Sequence, residues 1–160
     1  MKRIIISLVS IIAINFNINA QTHTIYNRTS ISCIGVELDG SQTLRVHGYG
    51  RNRADAKEQA MKNAVWAVIF DGIRDGSQGC NIRPLVTEVN AKERYEDYFN
   101  IFFADGGEYK KYVSLRDTKR RSADRIKDKV GYSYEMTIRV LRAELKNRLK
   151  ADNVISKDHL

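Results

Sequence analysis

One proline, Pro84, and 10 glycines in 160 residues leave no stretch rich enough in either to act as a disordered linker. The three histidines, His23, His47 and His159, are scattered, and the cysteines Cys33 and Cys80 are far apart. Neither they nor any carboxylate run has the spacing of a metal site. No serine occupies a nucleophile-elbow context, and Glu88, Glu93, Glu96 and Asp97 read as the solvent side of a helix rather than an acid–base pair. These absences predict a non-enzymatic protein with no cofactor and no metal. A membrane-spanning helix needs about 20 apolar residues, and the longest apolar run, Ile4 to Phe16, is interrupted by Ser7, Ser10 and Asn15.

That run has another reading. Lys2 and Arg3 precede it, and Asn17 to Ala20 leads to a cut before Gln21, the layout of an export signal. The Ile-, Asn- and Lys-rich composition looks bacterial, and no cysteine follows closely enough for lipid attachment. The expected location is therefore periplasmic or secreted, after cleavage near Ala20. Removing Lys2 and Arg3 lowers the formal net charge from +8 to +6. The expected organisation is a signal peptide over 1–20, a mobile lead-in over 21–30, one α+β domain over 31–155 and a tail over 156–160.

Within the domain, Ile31 to Leu38 and Thr43 to Tyr49 read as two strands joined by the turn residues Asp39, Gly40 and Ser41. Asn52 is placed to cap a helix over Arg53 to Phe70, which Asp71 and Gly72 stop. Ala56, Ala60, Ala64 and Ala67 form a small-residue stripe on that helix, suited to lying close against a sheet. Trp66 and Phe70 lie on its opposite side and need another cover. A second helix over Val86 to Ala104 supplies one, because Tyr95, Tyr98, Phe99, Phe102 and Phe103 share an arc. Contact is thus predicted between Trp66 or Phe70 and Phe99 or Phe102. Tyr109 to Leu115 and Val130 to Val140 read as third and fourth strands, the latter strictly alternating. A last helix starts near Leu141, with Leu141, Leu145 and Leu149 as its stripe. The predicted fold is a four-stranded antiparallel sheet with three helices packed on one face, in the order β-β-α-α-β-β-α.

A Cys33–Cys80 disulfide suits an exported chain. Strand parity opposes it, because Cys33 points away from the core if Ile34, Val36 and Leu38 point into it. A bulge in the first strand would reverse that parity.

Two surfaces could bind partners. One is the wet face of the sheet, with Arg45, His47, Tyr49, Glu135 and Arg139. The other is the segment from Arg116 to Lys129, where seven basic residues, including Lys119, Arg120, Arg121 and Arg125, face three acidic ones for a net of +4. Its plain reading is a solvated hairpin loop, and its functional reading is contact with an acidic partner. Such localised basicity does not describe a nucleic-acid-binding face. Gly48 and Gly50, followed by Arg51 and Arg53 at a helix start, admit an anion-binding alternative. The dinucleotide fingerprint would require a third glycine where Arg53 stands, and a hairpin precedes this helix, so structural glycines are the simpler reading.

The run "LRVHGYGRNRADAKEQAMKNAVWAV" from Leu44 to Val68 resembles the start of small exported domains such as the N-terminal domain of the flagellar outer-membrane collar protein FlgT and related outer-membrane lipoprotein domains. "GYSYEMTIRVLRAELKNRL" from Gly131 to Leu149 is similar to their closing strand and helix, and "YFNIFFADGGEYKKYV" from Tyr98 to Val113 to uncharacterised exported proteins of Bacteroides-like bacteria. The resemblance implies an α+β envelope domain and brings no catalytic residues. The expected partner is another envelope protein or an acidic envelope surface, and peripheral membrane contact is compatible with the same charge. The alternative is a periplasmic binder of a small anionic ligand at Arg51 and Arg53.

Overall fold

A computed structural model describes residues 31–77, 79–80, 83–116, 125–127 and 132–156, the three residues 125–127 by their backbone alone. The expected signal peptide and lead-in, Lys119, Arg120 and Arg121, and all of the tail except Ser156 lie outside the described residues.

β1 (Ser32–Val36) and β2 (Gln42–Gly50) form the expected antiparallel hairpin. At their turn Asp39 Oδ1 accepts from the Ser41 amide at 2.8 Å, and Gly40 takes φ +77°. α1 (Arg53–Trp66) follows at once, with the Asn52 side chain accepting from the Ala54 and Asp55 amides. Its Ala56, Ala60, Ala64 and, just beyond its end, Ala67 are all buried, as the small-residue stripe predicts. Gly48 of β2 lies beneath Ala56 and Ala60. A Cβ on Gly48 would come within 2.6 Å of the Ala60 backbone nitrogen and 2.8 Å of its Cβ. Gly48 is thus the sheet's half of a close helix–sheet contact.

α1 does not run on as α-helix to Phe70. It widens into a π-helical turn, Ala67–Asp71, closed by the Gly72 amide donating to the Ala67 carbonyl. The widened turn lets the Val68 and Ile69 carbonyls accept from the Leu85 and Val86 amides. Those bonds tie the 83–90 segment to the turn, so the helix expected from Val86 starts later. It is also split, into α2 (Ala91–Arg94) and α3 (Glu96–Phe102), with Tyr95 in a non-helical conformation between them. Phe70 meets Phe99 at 4.7 Å between ring centroids, and Trp66 meets Phe103 at 5.6 Å, so the aromatic arc covers α1 as expected.

The strand expected over Tyr109 to Leu115 is mostly a 3-10 turn, Glu108–Tyr112, leaving only β4 (Val113–Ser114) extended. Tyrosine and valine favour strands, but the three-residue spacing of Tyr109 and Tyr112 buries both against Phe103 and Phe102. β3 (Asp75–Gly76) pairs parallel to β1, and β5 (Arg125–Lys127) pairs antiparallel to β6 (Tyr132–Val140). The sheet order is β3-β1-β2-β6-β4, with β5 beside β4 on the same edge of β6. The fold is therefore α+β, as predicted, but the sheet is mixed rather than four antiparallel strands. Four α-helices replace the expected three because the second is split. α4 (Arg142–Ala151) buries Leu145 and Leu149, while Leu141 is only partly covered at its start. Tyr98 donates to Asp152 at 2.6 Å, and Arg148 Nε donates to the same oxygen at 2.7 Å, which fastens the C-terminal end of α4 to α3.

Strand parity is overturned at the cysteines. Cys33 is buried at 2 % exposure and bonded to Cys80, whereas Ile34, Val36 and Leu38 are exposed. The pairing register slips between Cys33 and Gly35, so Cys33 faces Leu44 and Val36 faces Gln42, both core-side positions of β2. One extra residue puts positions 33 and 36 on the same face. Val36 then lies at the open margin of the core and Cys33 inside it. The bridge fastens the 72–84 connection, whose β3 contributes only two paired residues, to β1. Changing both cysteines to serine is expected to lower unfolding stability by about 4 kcal/mol in the loop-entropy model. Urea unfolding of the oxidised chain against the double variant measures this, and equal stabilities would contradict it.

Candidate functional site

β2 and β6 pair along their whole length, so each side chain on one strand has a partner directly across. On the core side Leu44, Val46, Tyr134, Met136 and Ile138 are buried beneath α1. On the other side stand Arg45, His47 and Tyr49 of β2 and Ser133, Glu135, Thr137 and Arg139 of β6. Among the described residues no helix covers this side.

Glu135 organises the centre. Its carboxylate lies 2.9 Å from His47 Nε2, directly across the strands, and 3.4 Å from Arg45 Nε on the diagonal. At the hairpin end Glu37 accepts from the Thr43 hydroxyl at 3.1 Å and lies 3.5 Å from Arg139 Nη2. Tyr49 is 49 % exposed. The face is thus a polar array in which each carboxylate meets at least one basic side chain and one aromatic ring stands out. Such an array offers paired donors and acceptors to whatever approaches that side of the sheet.

The structure brings Arg45, His47 and Tyr49 together and places Arg51 and Arg53 elsewhere. Arg51 pairs with Asp55 at 3.6 Å. Arg53 lies over the Tyr134 ring, 5.2 Å from its centroid, and donates to its hydroxyl at 3.2 Å, on the helix-covered side of the sheet. The first amides of α1 are already bonded to Asn52, and Asp55 brings a negative charge to the same turn. Gly50 is structural like Gly48, since a Cβ there would lie 2.6 Å from Asp55 Cβ. Arg125, expected in a loop, belongs to β5, its backbone opposite Tyr134. Lys119, Arg120 and Arg121 lie outside the described residues.

A second polar group lies on α1. Asn63, almost fully buried, donates to the His47 carbonyl at 3.0 Å and accepts from Gln59 at 2.8 Å. Lys62, also buried, reaches Asp105 at 2.7 Å, and Glu58 accepts from the Tyr109 hydroxyl and pairs with Lys110 at 2.8 Å. Burial pushes the Glu58 carboxyl up, but bonds from Lys110, Tyr109 and the Gly106 amide outweigh it and hold the group below its ordinary range. The Lys62 ammonium does the same to Asp105. These contacts clamp the 104–110 turn to α1.

Sequence reasoning missed one concavity, a groove of about 400 Å³ walled by Phe70, Pro84, Val86, Ala91 and Lys92. Its signal was present, since Trp66 and Phe70 stand one turn apart, away from the Ala stripe. What hid it was the path of 83–90, which depends on the π-helical turn. Comparison with protein-family models, curated proteins and solved structures finds no match to this chain.

The two depressed carboxyls fix the sign of an acid dependence. Their stabilisation is present above the ordinary carboxylate range, about pH 4, and is lost as pH falls through their lowered folded values. Thermal melts from pH 6 to pH 2 should therefore show stability falling below about pH 4, and Glu58→Gln with Asp105→Asn should flatten that fall. An unchanged profile in the double variant would contradict the clamp.

Proposed function

We propose that the protein is an exported, non-enzymatic interaction or assembly protein of the bacterial envelope. It meets another envelope protein, or an acidic envelope surface, through the helix-free face of its sheet. The observation that carries this reading is the face itself: Arg45, His47, Tyr49, Glu135 and Arg139 side by side on two fully paired strands. A polar array on fully paired strands with an exposed tyrosine suits a protein interface, where Tyr and Arg are enriched.

Export is supported by the N-terminal signal pattern and by the Cys33–Cys80 bridge, since disulfides persist in oxidising compartments. The resemblance of Leu44 to Val68 and Gly131 to Leu149 to collar-protein and lipoprotein domains agrees with an envelope setting. Nucleic acid is not among the proposed partners, and the basic residues Lys119, Arg120, Arg121 and Arg125 serve as a secondary contact with acidic groups. The small-anion alternative at Arg51 and Arg53 is less favoured, because Asn52, Asp55 and Tyr134 already engage the groups it would use.

Affinity capture of the tagged chain from its own envelope tests the proposal in three forms. These are the unaltered protein, Arg45→Glu with Tyr49→Ala, and Lys119→Ser with Arg120→Ser and Arg121→Ser. Surface pairs such as Arg45 with Glu135 contribute only about 0–1 kcal/mol, so the variants should fold normally. The face variant is expected to lose the partner recovered by the unaltered chain, and the loop variant to retain it in reduced amount. Full recovery by the face variant would rule out the sheet face.

A further inference from the structure

Trp66 closes α1 and Phe70 lies in the following π-helical turn, their ring centroids 4.5 Å apart. The ammonium of Lys92, in α2, sits 4.7 Å from the Trp66 centroid and 4.9 Å from that of Phe70. A carboxylate oxygen of Asp71 lies 3.9 Å from the same nitrogen. Two aromatic rings and a carboxylate converging on one ammonium have the chemistry of a cation cage. The Lys92 side chain is nevertheless 48 % exposed, and only side-chain contacts hold its head group, so it can swing out without disturbing the backbone.

The cage does not stand alone. Phe70 and Lys92 also line the 400 Å³ groove, whose apolar wall continues through Pro84, Val86 and Ala91. The bonds from Leu85 and Val86 to the carbonyls of the π-helical turn fix one wall, and Asn90, at φ +63°, turns the chain into α2. Thr87 and Asn90 offer polar groups along the rim. The charges beside Lys92 are Asp71, 3.9 Å away, and the groove-lining Glu88 and Glu93, with Arg94 paired to Glu88. A groove with the Phe70 ring at one end, the Trp66 ring stacked beside it, and Glu88 and Glu93 in its lining suits a cation on an apolar stem.

We propose that this groove receives a lysine side chain presented by a partner polypeptide, and that Lys92 is an internal stand-in competing for the cage. The apolar wall would take the stem and neighbouring residues, and Thr87 and Asn90 would meet the partner's main chain. This site is separate from the sheet face and does not depend on it.

Trp66 is the only tryptophan, so its fluorescence reads the cage directly. The chain is titrated with an acetylated, amidated Ala-Lys-Ala peptide, with the norleucine counterpart of that peptide, and with choline. The lysine peptide is expected to give a saturable change. Lys92→Ser should tighten its apparent affinity about tenfold by removing the internal competitor, and Asp71→Asn added to Lys92→Ser should weaken it several-fold. Lys92→Gln, which keeps most of the stem, provides a second competitor-free form, and far-UV circular dichroism confirms that each variant is folded. An equal response to the norleucine peptide would mean that the groove reads apolar surface alone. Choline binding as tightly as the lysine peptide would remove the polypeptide partner from the proposal. No saturable change in the folded Lys92→Ser or Lys92→Gln chain would overturn it outright.

Discussion

The fold depends on how closely α1 can approach β2. Ala56 and Ala60 present backbone where larger residues would present side chain, and Gly48 answers with no side chain at all. The helix is held against the two longest, fully paired strands, and the remaining elements arrange themselves around that seam. The aromatic side of α1 is left facing outward, so the chain needs a further layer. Phe99, Phe102, Phe103, Tyr109 and Tyr112 supply it from short, irregular pieces. Close contact on one side of the helix and bulky contact on the other explain why the protein is layered as sheet, helix and aromatic cluster.

The margins follow from the same centre. β2 and β6 are long, whereas β3, β4 and β5 contribute only two or three residues each. Short edges are weak, and two of the three carry bonds beyond their paired residues. The disulfide holds the connection that contains β3, and the Leu141 amide bonds to the Tyr112 carbonyl beside β4. The π-helical turn holds the 83–90 segment in a similar way, and the groove arises because that segment is fixed there. The far face of the sheet takes no part in these arrangements and is left to polar pairs.

Much of the centre was readable from sequence because single-element periodicity determines it. The Ala stripe, the Asn52 cap, the alternation of β6 and the Phe70–Phe99 contact each follow from residues within one or two elements. What escaped depends on a single inserted residue or on contacts between distant segments. The bulge between Cys33 and Gly35 reverses the parity that opposed the disulfide; Gly35 inside "ISCIGVEL" hints at a bulge, but its place in the register needed the pairing with β2. Tyr109 and Tyr112 look strand-forming, but Phe103 and Phe102 take both from one side. Of the candidate site, the alternation of β2 and β6 grouped Arg45, His47 and Tyr49 correctly. The Glu135 pairing needed the register, and the Lys92 cage needed the path of 83–90.

If the Gly48–Ala60 contact is the constraint on which the scaffold rests, the sheet should tolerate a methyl group elsewhere but not there. Gly35 is the internal control, since a Cβ on it would meet nothing within 4 Å. The most direct measurement is equilibrium urea unfolding of Gly48→Ala beside Gly35→Ala. Gly48→Ala should lose about 2 kcal/mol or more from overpacking, and Gly35→Ala should stay within about 0.5 kcal/mol of the unaltered chain. Equal, small effects at both positions would show that the helix does not need the space Gly48 provides.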